Sequence, residues 1–288
     1  MTGEAGPAIA ESIPMRALEA AVRLALDEDL TAGDPTSAFL DVDAAAALAA
    51  RAPGVIAGLP AVEVTLAEVA RRLDLEPATF RPELDDGFRV AAGGLLGRVA
   101  GPARVVLAAE RTLLNLLCHL SGVATLTAAF VAAVEGTGAV IRDTRKTLPG
   151  LRELGKYAVR AGGGHNHRMS LGDALLVKDN HIRAAGGLAA AVAAARAAGP
   201  DLPLEVEVET LEEVALALET GCELLLLDNM ELETMSEAVA MAAGRARTEA
   251  SGGITLARAR KVASTGVDFL AIGALTHSAP ALDIGLDW

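Results

Sequence analysis

Between Arg142 and Arg183 stand nine cations, Arg142, Arg145, Lys146, Arg152, Lys156, Arg160, Arg168, Lys178 and Arg183, against four acids, Asp143, Glu153, Asp173 and Asp179, so the segment is +5 in a chain of net charge −13. Lysine is scarce: three of the four in the chain, Lys146, Lys156 and Lys178, lie in this segment, and Lys261 is the other. A solvated helix face would give the same composition. Arg145, Lys146 and Lys178, however, close short apolar runs rather than sit within helical ones. A cationic pocket in an acidic protein suits an anionic small substrate, because guanidinium forks and ammonium groups match carboxylates and phosphates. Within the same segment, Gly162-Gly163-Gly164-His165-Asn166-His167-Arg168 combines glycines that let a backbone approach a ligand with a histidine and an arginine. A plain flexible turn is the alternative reading of the glycines.

The acidic counterpart is LEVEVET, residues 204–210, in which Glu205, Glu207 and Glu209 alternate onto one face of a strand. Such carboxylates are costly to bury unless paired or bound to a cation. Asp228-Asn229 ends the next apolar run, so Glu207 and Asp228 on neighbouring strand ends could hold Mg²⁺, directly or through water, or could simply pair with arginines. Ser251-Gly252-Gly253 and Gly273 end the last two runs, where backbone N–H groups ahead of helix starts suit a phosphate, or merely a tight turn.

These residues need a frame that gathers them. Six short apolar runs, 139–146, 174–181, 204–210, 224–229, 248–253 and 269–274, end in polar or glycine clusters, with Ala-rich helical segments between them. Their ends, at Asp143, Lys178, Glu207, Asp228, Ser251 and Gly273, are 21 to 35 residues apart. Strand, helix, strand at this spacing predicts right-handed βα units on a parallel sheet, with the chemistry at the carboxyl ends of the strands. A barrel is expected over an open doubly wound sheet because no strand–GxGxxG–helix unit occurs. Ahead of it, Met15–Asp29 and Val62–Leu73 have helical spacing, Thr31-Ala-Gly-Asp-Pro is a turn, Phe88–Val90 and Arg104–Leu107 read as strands, and Glu110–Phe130 reads as a long helical stretch broken near Ser121-Gly122. This first part is a separate α+β region.

Composition narrows the function classes. The negative balance argues against a nucleic-acid binder, and seven aromatic residues, five Phe, one Tyr and one Trp, are too few for base-stacking platforms. Cys118 and Cys222 read as buried small residues in a reducing compartment. The start, MTGEAGPAIAES, lacks the basic and apolar regions of a signal peptide, and no stretch is read as reaching the ~18 uninterrupted apolar residues of a membrane helix. A cytoplasmic protein away from membranes is expected.

The runs RDTRKTLPGLRELGKYAVRAGGGHNHR (142–168), LLVKDNH (175–181), LEVEVETLEE, LLLLDN, EASGGI (249–254) and LAIGALTHSAPALDIGLD (270–287) together resemble quinolinate phosphoribosyltransferase, the decarboxylating nicotinate-nucleotide pyrophosphorylase of NAD biosynthesis. LDEDLTAGDPTS (26–37) and ERTLLNLLCHLSGVAT (110–125) extend the resemblance over nearly the whole chain. It implies an N-terminal α/β sandwich, residues 1–116 completed by the tail 275–288, and an atypical open α/β barrel of six or seven parallel strands, residues 117–274. It implies an enzyme, a pentosyltransferase that joins quinolinate to 5-phosphoribosyl 1-diphosphate with Mg²⁺ and releases nicotinate mononucleotide, pyrophosphate and CO₂. It further implies a homodimer or hexamer whose active sites are shared between chains.

Carried over by position, the resemblance puts Arg145, His167, Arg168 and Lys178 in the quinolinate pocket and Lys146 between quinolinate and the donor. Glu207 and Asp228 face the ribose and the Mg²⁺–diphosphate; Ser251, Gly252, Gly253 and Gly273 form the 5′-phosphate loops. Arg111 is the arginine delivered by the partner subunit, and Lys146, Lys178, Glu207 and Asp228 carry the catalytic roles. His165 and Cys118-His119 fall at variable places of the family pattern. Three rival readings share some of these residues: the decarboxylase-like paralogue associated with molybdate transport, a Schiff-base aldolase using Lys178, and a non-catalytic sensor of quinolinate or its mononucleotide. The intact GGGHNHR and DTRKTLPG runs favour the biosynthetic enzyme.

Overall fold

The computed structural model describes residues 12–288; the reading of the N-terminal start as lacking a signal peptide falls on residues 1–11 and lies outside them. In chain order the elements begin with α1 (Met15–Asp29), β1 (Asp43–Ala50), β2 (Gly54–Val55), α2 (Pro60–Leu73), β3 (Thr79–Pro82), β4 (Arg89–Val90), β5 (Leu95–Pro102) and α3 (Ala103–Ala133). Then come β6 (Val140–Arg142), α4 (Arg152–Ala161), β7 (Leu175–Val177), α5 (Asp179–Ala185), α6 (Leu188–Ala198), β8 (Leu204–Val208) and α7 (Leu211–Glu219). The chain closes with β9 (Leu224–Asp228), α8 (Leu232–Ala242), β10 (Arg247–Ser251), α9 (Leu256–Ala263), β11 (Phe269–Ala271), α10 (Ala274–His277) and β12 (Ile284–Asp287).

Two compact units form. The first holds the described residues up to Ala128, with Thr147–Gly163 and Ala274–Trp288. Its main sheet has the antiparallel order β12-β1-β5-β3, so the chain's last strand completes the sheet that β1 begins. Helix α1 buries Leu18, Val22 and Leu26, spaced one turn apart, as its periodicity predicts. In α2, Pro60 stands at the first turn, where its missing N–H costs nothing, and Asp74 ends the helix in a left-handed conformation.

Two expectations are corrected here. Arg104–Leu107 is not a strand but the first turn of α3, because Val105, Val106, Ala109 and Leu113 bury one helical stripe. The stretch expected to break near Ser121-Gly122 is one unbroken helix: Ser121 hydrogen-bonds across to Ala57, and Gly122 leaves room for the Pro280 carbonyl, 2.1 Å from where a Cβ would stand. By length and mean hydropathy this same helix could cross a membrane, although Asn115, His119 and Ser121 interrupt its apolar run, and 56% of its apolar window is buried inside the protein, as in a core helix.

The second unit, Ala129–Lys146 with Gly164–Gly273, is the parallel α/β barrel. All six predicted strands form, in the order β6-β11-β10-β9-β8-β7, and the sheet is open between β6 and β7. Beside β6 an isolated parallel bridge, Arg142 to His165, adds a seventh strand-like segment. The helices between strands put their apolar stripes inward: Ala191 and Val192 of α6, Val214, Ala217 and Leu218 of α7, Ala259 and Val262 of α9 are buried.

Candidate active site

The register of the barrel decides which side chains share its inner face. Neighbours in a parallel ladder point the same way, and residues two apart on one strand do too. Glu249 pairs Phe269 on one side and Leu226 on the other, and Ser251 pairs Asp228. Glu207 also pairs Leu226, Leu176 pairs Glu205, and Ala271 pairs Arg142. One face therefore carries Arg142, Phe269, Glu249, Ser251, Asp228, Glu205, Glu207 and, at the end of β7, Lys178.

Of the expected acids, Glu207 is answered by a cation within this face. The ammonium of Lys178 donates to Glu207, and the backbone N–H of Lys178 donates to His181 Nδ1 at 3.0 Å, which ties the strand end to the start of α5. Glu209 lies past the end of β8 and is exposed, so the three-glutamate face reduces to Glu205 and Glu207. Asp228 accepts from Asn229 at 2.7 Å, and Asn229, in a left-handed conformation, donates its backbone N–H to the Ser251 carbonyl. Gly252, at φ +94, exists for that turn: a Cβ there would stand 2.1 Å from Asn229 Oδ1. Gly253 follows with positive φ and open space around it, and Gly273 stands two residues past the end of the neighbouring β11, so the two glycine loops follow adjacent strands.

The cationic segment is divided. Arg152, Lys156 and Arg160 belong to α4 in the first unit, and Lys156 is fully buried there. Arg183 pairs with Asp179 on the surface, and Arg142 spends its charge on Glu249 at 2.6 Å. Arg145, Lys146, Arg168 and Lys178 remain in the barrel unit. The Lys146 backbone N–H donates to Thr144 Oγ1 at 3.0 Å, and its side chain is exposed. Arg145 Nε is buried without a hydrogen-bond partner. Burial, and the charge of Arg145 beside it, pull the Arg168 guanidinium below its usual range. The charges of Glu205 and Asp173 oppose this shift, and Arg168 Nη1 donates to the Ala174 carbonyl at 3.1 Å. Arg111 is exposed on α3, in the first unit.

The glycine run behaves differently from the ligand-approach reading. Gly162 packs α4 on α3, where a Cβ would meet the Ala124 carbonyl at 2.3 Å, and Gly163 turns the chain with φ +86. The histidine and arginine after it are held from several sides. Asp143, fully buried, accepts the His167 backbone N–H at 2.9 Å and the Asn166 side chain. His167 Nε2 lies 2.8 Å from Glu205 and 3.7 Å from Glu249, and its Nδ1 accepts the Arg168 backbone N–H at 2.8 Å. A cavity of about 420 Å³ reaches this group, with Arg142, His167, Arg168, Glu205 and Arg247 in its wall. Sequence reasoning missed Glu249, Arg142 and Asp143 as parts of the site. Alternation was a usable signal for Glu249, which sits two residues before Ser251 and so on the same face.

Fold and site together define an open α/β barrel enzyme whose strand ends oppose paired cations to carboxylates and glycine turns. The chain matches the family models for the N-terminal domain of quinolinate phosphoribosyl transferase over residues 34–121 and for its C-terminal domain over residues 123–287. It is 50% identical over 273 residues to a nicotinate-nucleotide pyrophosphorylase (carboxylating) of Mycobacterium leprae, covering 92% of this chain and 95% of that one. A probable enzyme of the same name from Bacillus subtilis is 40% identical, covering 90% and 89%. The solved nicotinate-nucleotide pyrophosphorylase of Francisella tularensis superposes with a TM-score of 0.91 at 36% identity, covering 98% of this chain and 99% of that one. The chain belongs to the quinolinate phosphoribosyltransferase family.

Proposed function

We propose that the chain transfers the phosphoribosyl group of 5-phosphoribosyl 1-diphosphate to the ring nitrogen of quinolinate, with loss of the adjacent carboxylate. The observation that carries this reading is the gathering of Arg145, Arg168, Lys178 and His167 in one unit of a protein of net charge −13, with the guanidinium of Arg145 close enough for its charge to act on Arg168. Quinolinate is a dianion, and charge-assisted forks and ammonium groups neutralise two carboxylates better than any neutral donor does.

In this reading Arg145, Arg168 and Lys178 hold the quinolinate carboxylates, His167 belongs to the same pocket and fixes the Arg168 backbone, and Lys146, exposed at the mouth, lies between quinolinate and the donor. Attack of the ring nitrogen on C1 of the sugar develops positive charge there, which the carboxylates of Glu207 and Asp228 stabilise. Ser251, Gly252, Gly253 and Gly273 take the 5′-phosphate on backbone N–H groups. Glu207 and Asp228 offer the hard oxygen donors that Mg²⁺ requires, directly or through water, and the ion's chemistry is to stabilise charge on the departing pyrophosphate. Once alkylated, the ring nitrogen is itself the electron sink for decarboxylation, so CO₂ leaves without an imine on Lys178. A second copy of the chain lends Arg111, exposed here, to complete the pocket.

Titration of quinolinate into the chain without donor tests the pocket. R168A and K178A each remove one partner of a desolvated charge pair, an expected loss on the order of 2–5 kcal/mol. Unchanged affinity in both variants overturns the assignment.

A further inference from the structure

The best-defined ionic group in the barrel lies one side chain away from the proposed pocket. Glu249 on β10 is completely buried. Its Oε2 accepts from Arg142 of β6 at 2.6 Å, and its Oε1 has no hydrogen-bond partner but lies 3.7 Å from His167 Nε2. The same Nε2 is 2.8 Å from Glu205 of β8. Ligand-type atoms of His167, Glu205 and Glu249 all fall within 4.8 Å of one another. Phe269 of β11 and Leu226 of β9 flank Glu249 in the ladder, and Phe269 is stacked by Arg142 at 3.6 Å and Arg247 at 5.0 Å. Asp143 is engaged by Asn166 and the His167 backbone.

The ring of His167 accepts the Arg168 N–H at Nδ1 and turns its Nε2 to Glu205. Burial works against a charge on the ring, but the hydrogen bond and charge of Glu205, with the charge of Glu249, outweigh it and raise the His167 pKa. Within the group, the Arg142 charge balances one carboxylate, and a proton held between His167 and Glu249 balances the other. Burial, then the nearby charge of Glu205, push the Glu249 carboxyl up to about 7. The consequence reaches the pocket through His167, whose ring pins the backbone of Arg168, and through Glu205, whose charge Arg168 feels.

We propose that Glu249 is a positioning residue that sets quinolinate affinity by its charge: neutral, it leaves the buried group balanced behind His167 and Arg168, and ionised, it places an uncompensated carboxylate next to the site of a dianion. This rests on the pocket reading above. Quinolinate binding and ionisation of Glu249 then oppose each other, and by linkage binding above neutral pH draws one proton from solvent onto the Glu249 carboxylate.

The test is the KM for quinolinate from about pH 6 to about pH 9 in the wild type, E249Q and R168A. Each pKa unit by which binding raises Glu249 corresponds to about a tenfold rise in wild-type KM across that range, with the effect falling on KM rather than kcat. E249Q, which keeps an oxygen for Arg142 but cannot ionise, should give a flat KM profile. A profile in E249Q parallel to that of the wild type overturns the proposal. Should E249Q fail to fold, calorimetry of quinolinate binding to the wild type at about pH 8, in two buffers of different ionisation enthalpy, decides it. Proton uptake supports the proposal, and no uptake overturns it. If R168A binds quinolinate as the wild type does, the pocket reading itself fails. If R168A weakens binding while the wild-type and E249Q profiles are parallel, only the role of Glu249 fails.

Discussion

At the scale of single residues, the barrel holds its charges in two ways. Lys178 and Glu207 meet as an ordinary ion pair, whereas Glu249 is buried with its second oxygen unpartnered. The first arrangement depends on the shape of the ammonium, so K178R should recover only part of the quinolinate affinity lost in K178A; full recovery would reduce Lys178 to a bare charge. The second costs stability. A carboxyl whose folded pKa stands near 7, against 4.5 for the free group, must stay protonated in the fold after the unfolded chain has ionised. Its folded value is raised, so the penalty grows as pH rises from 4.5 towards 7 and is constant above. The thermal midpoint of E249Q relative to the wild type should therefore increase across that window and level off beyond it. A pH-independent difference would mean that Glu249 ionises as freely in the fold as in the unfolded chain.

At the scale of elements, the six barrel strands were legible because each is a short apolar run that ends in glycine or charge, and parallel strands buried on both faces read this way. The first unit was less legible. Strand β1, DAAAALAA, buries alternate residues Ala46, Leu48 and Ala50, but alanine on both faces hides the period, and its neighbours β5 and β12 make it a strand against alanine's helical preference. Arg104–Leu107 failed for a related reason: a four-residue apolar run carries no period of its own. In the site, Glu207 and Asp228 could be placed at neighbouring strand ends from spacing alone, whereas the approach of Glu249 to Arg142 and His167 required the ladder order, which runs β6-β11-β10-β9-β8 and not by sequence. That order also separates two tasks. E207A and D228A, on β8 and β9, should leave quinolinate binding nearly intact and impair binding of the donor with Mg²⁺. Paired titrations check this, and an equal loss in both would mean that the two acids merely hold the barrel together.

At the scale of the whole molecule, Arg111 belongs to the first unit and Lys178 to the barrel, and under the proposed function they are partners across two copies of the chain. Mixing R111A with K178A, each nearly inactive alone, should then restore activity. A mixed dimer has one site with both defects and one with neither, so random reassortment of equal amounts returns about a quarter of wild-type activity. No recovery despite proven subunit exchange places Arg111 in its own chain's site or outside any site. The central claim, that these strand ends couple phosphoribosyl transfer to decarboxylation, meets its most direct test in one assay: quinolinate labelled at the 2-carboxylate, 5-phosphoribosyl 1-diphosphate and Mg²⁺, with CO₂ and pyrophosphate followed together. The account predicts that the two are released in equal amounts and only when the donor is present. Release of CO₂ without the donor, or of pyrophosphate without CO₂, would contradict it.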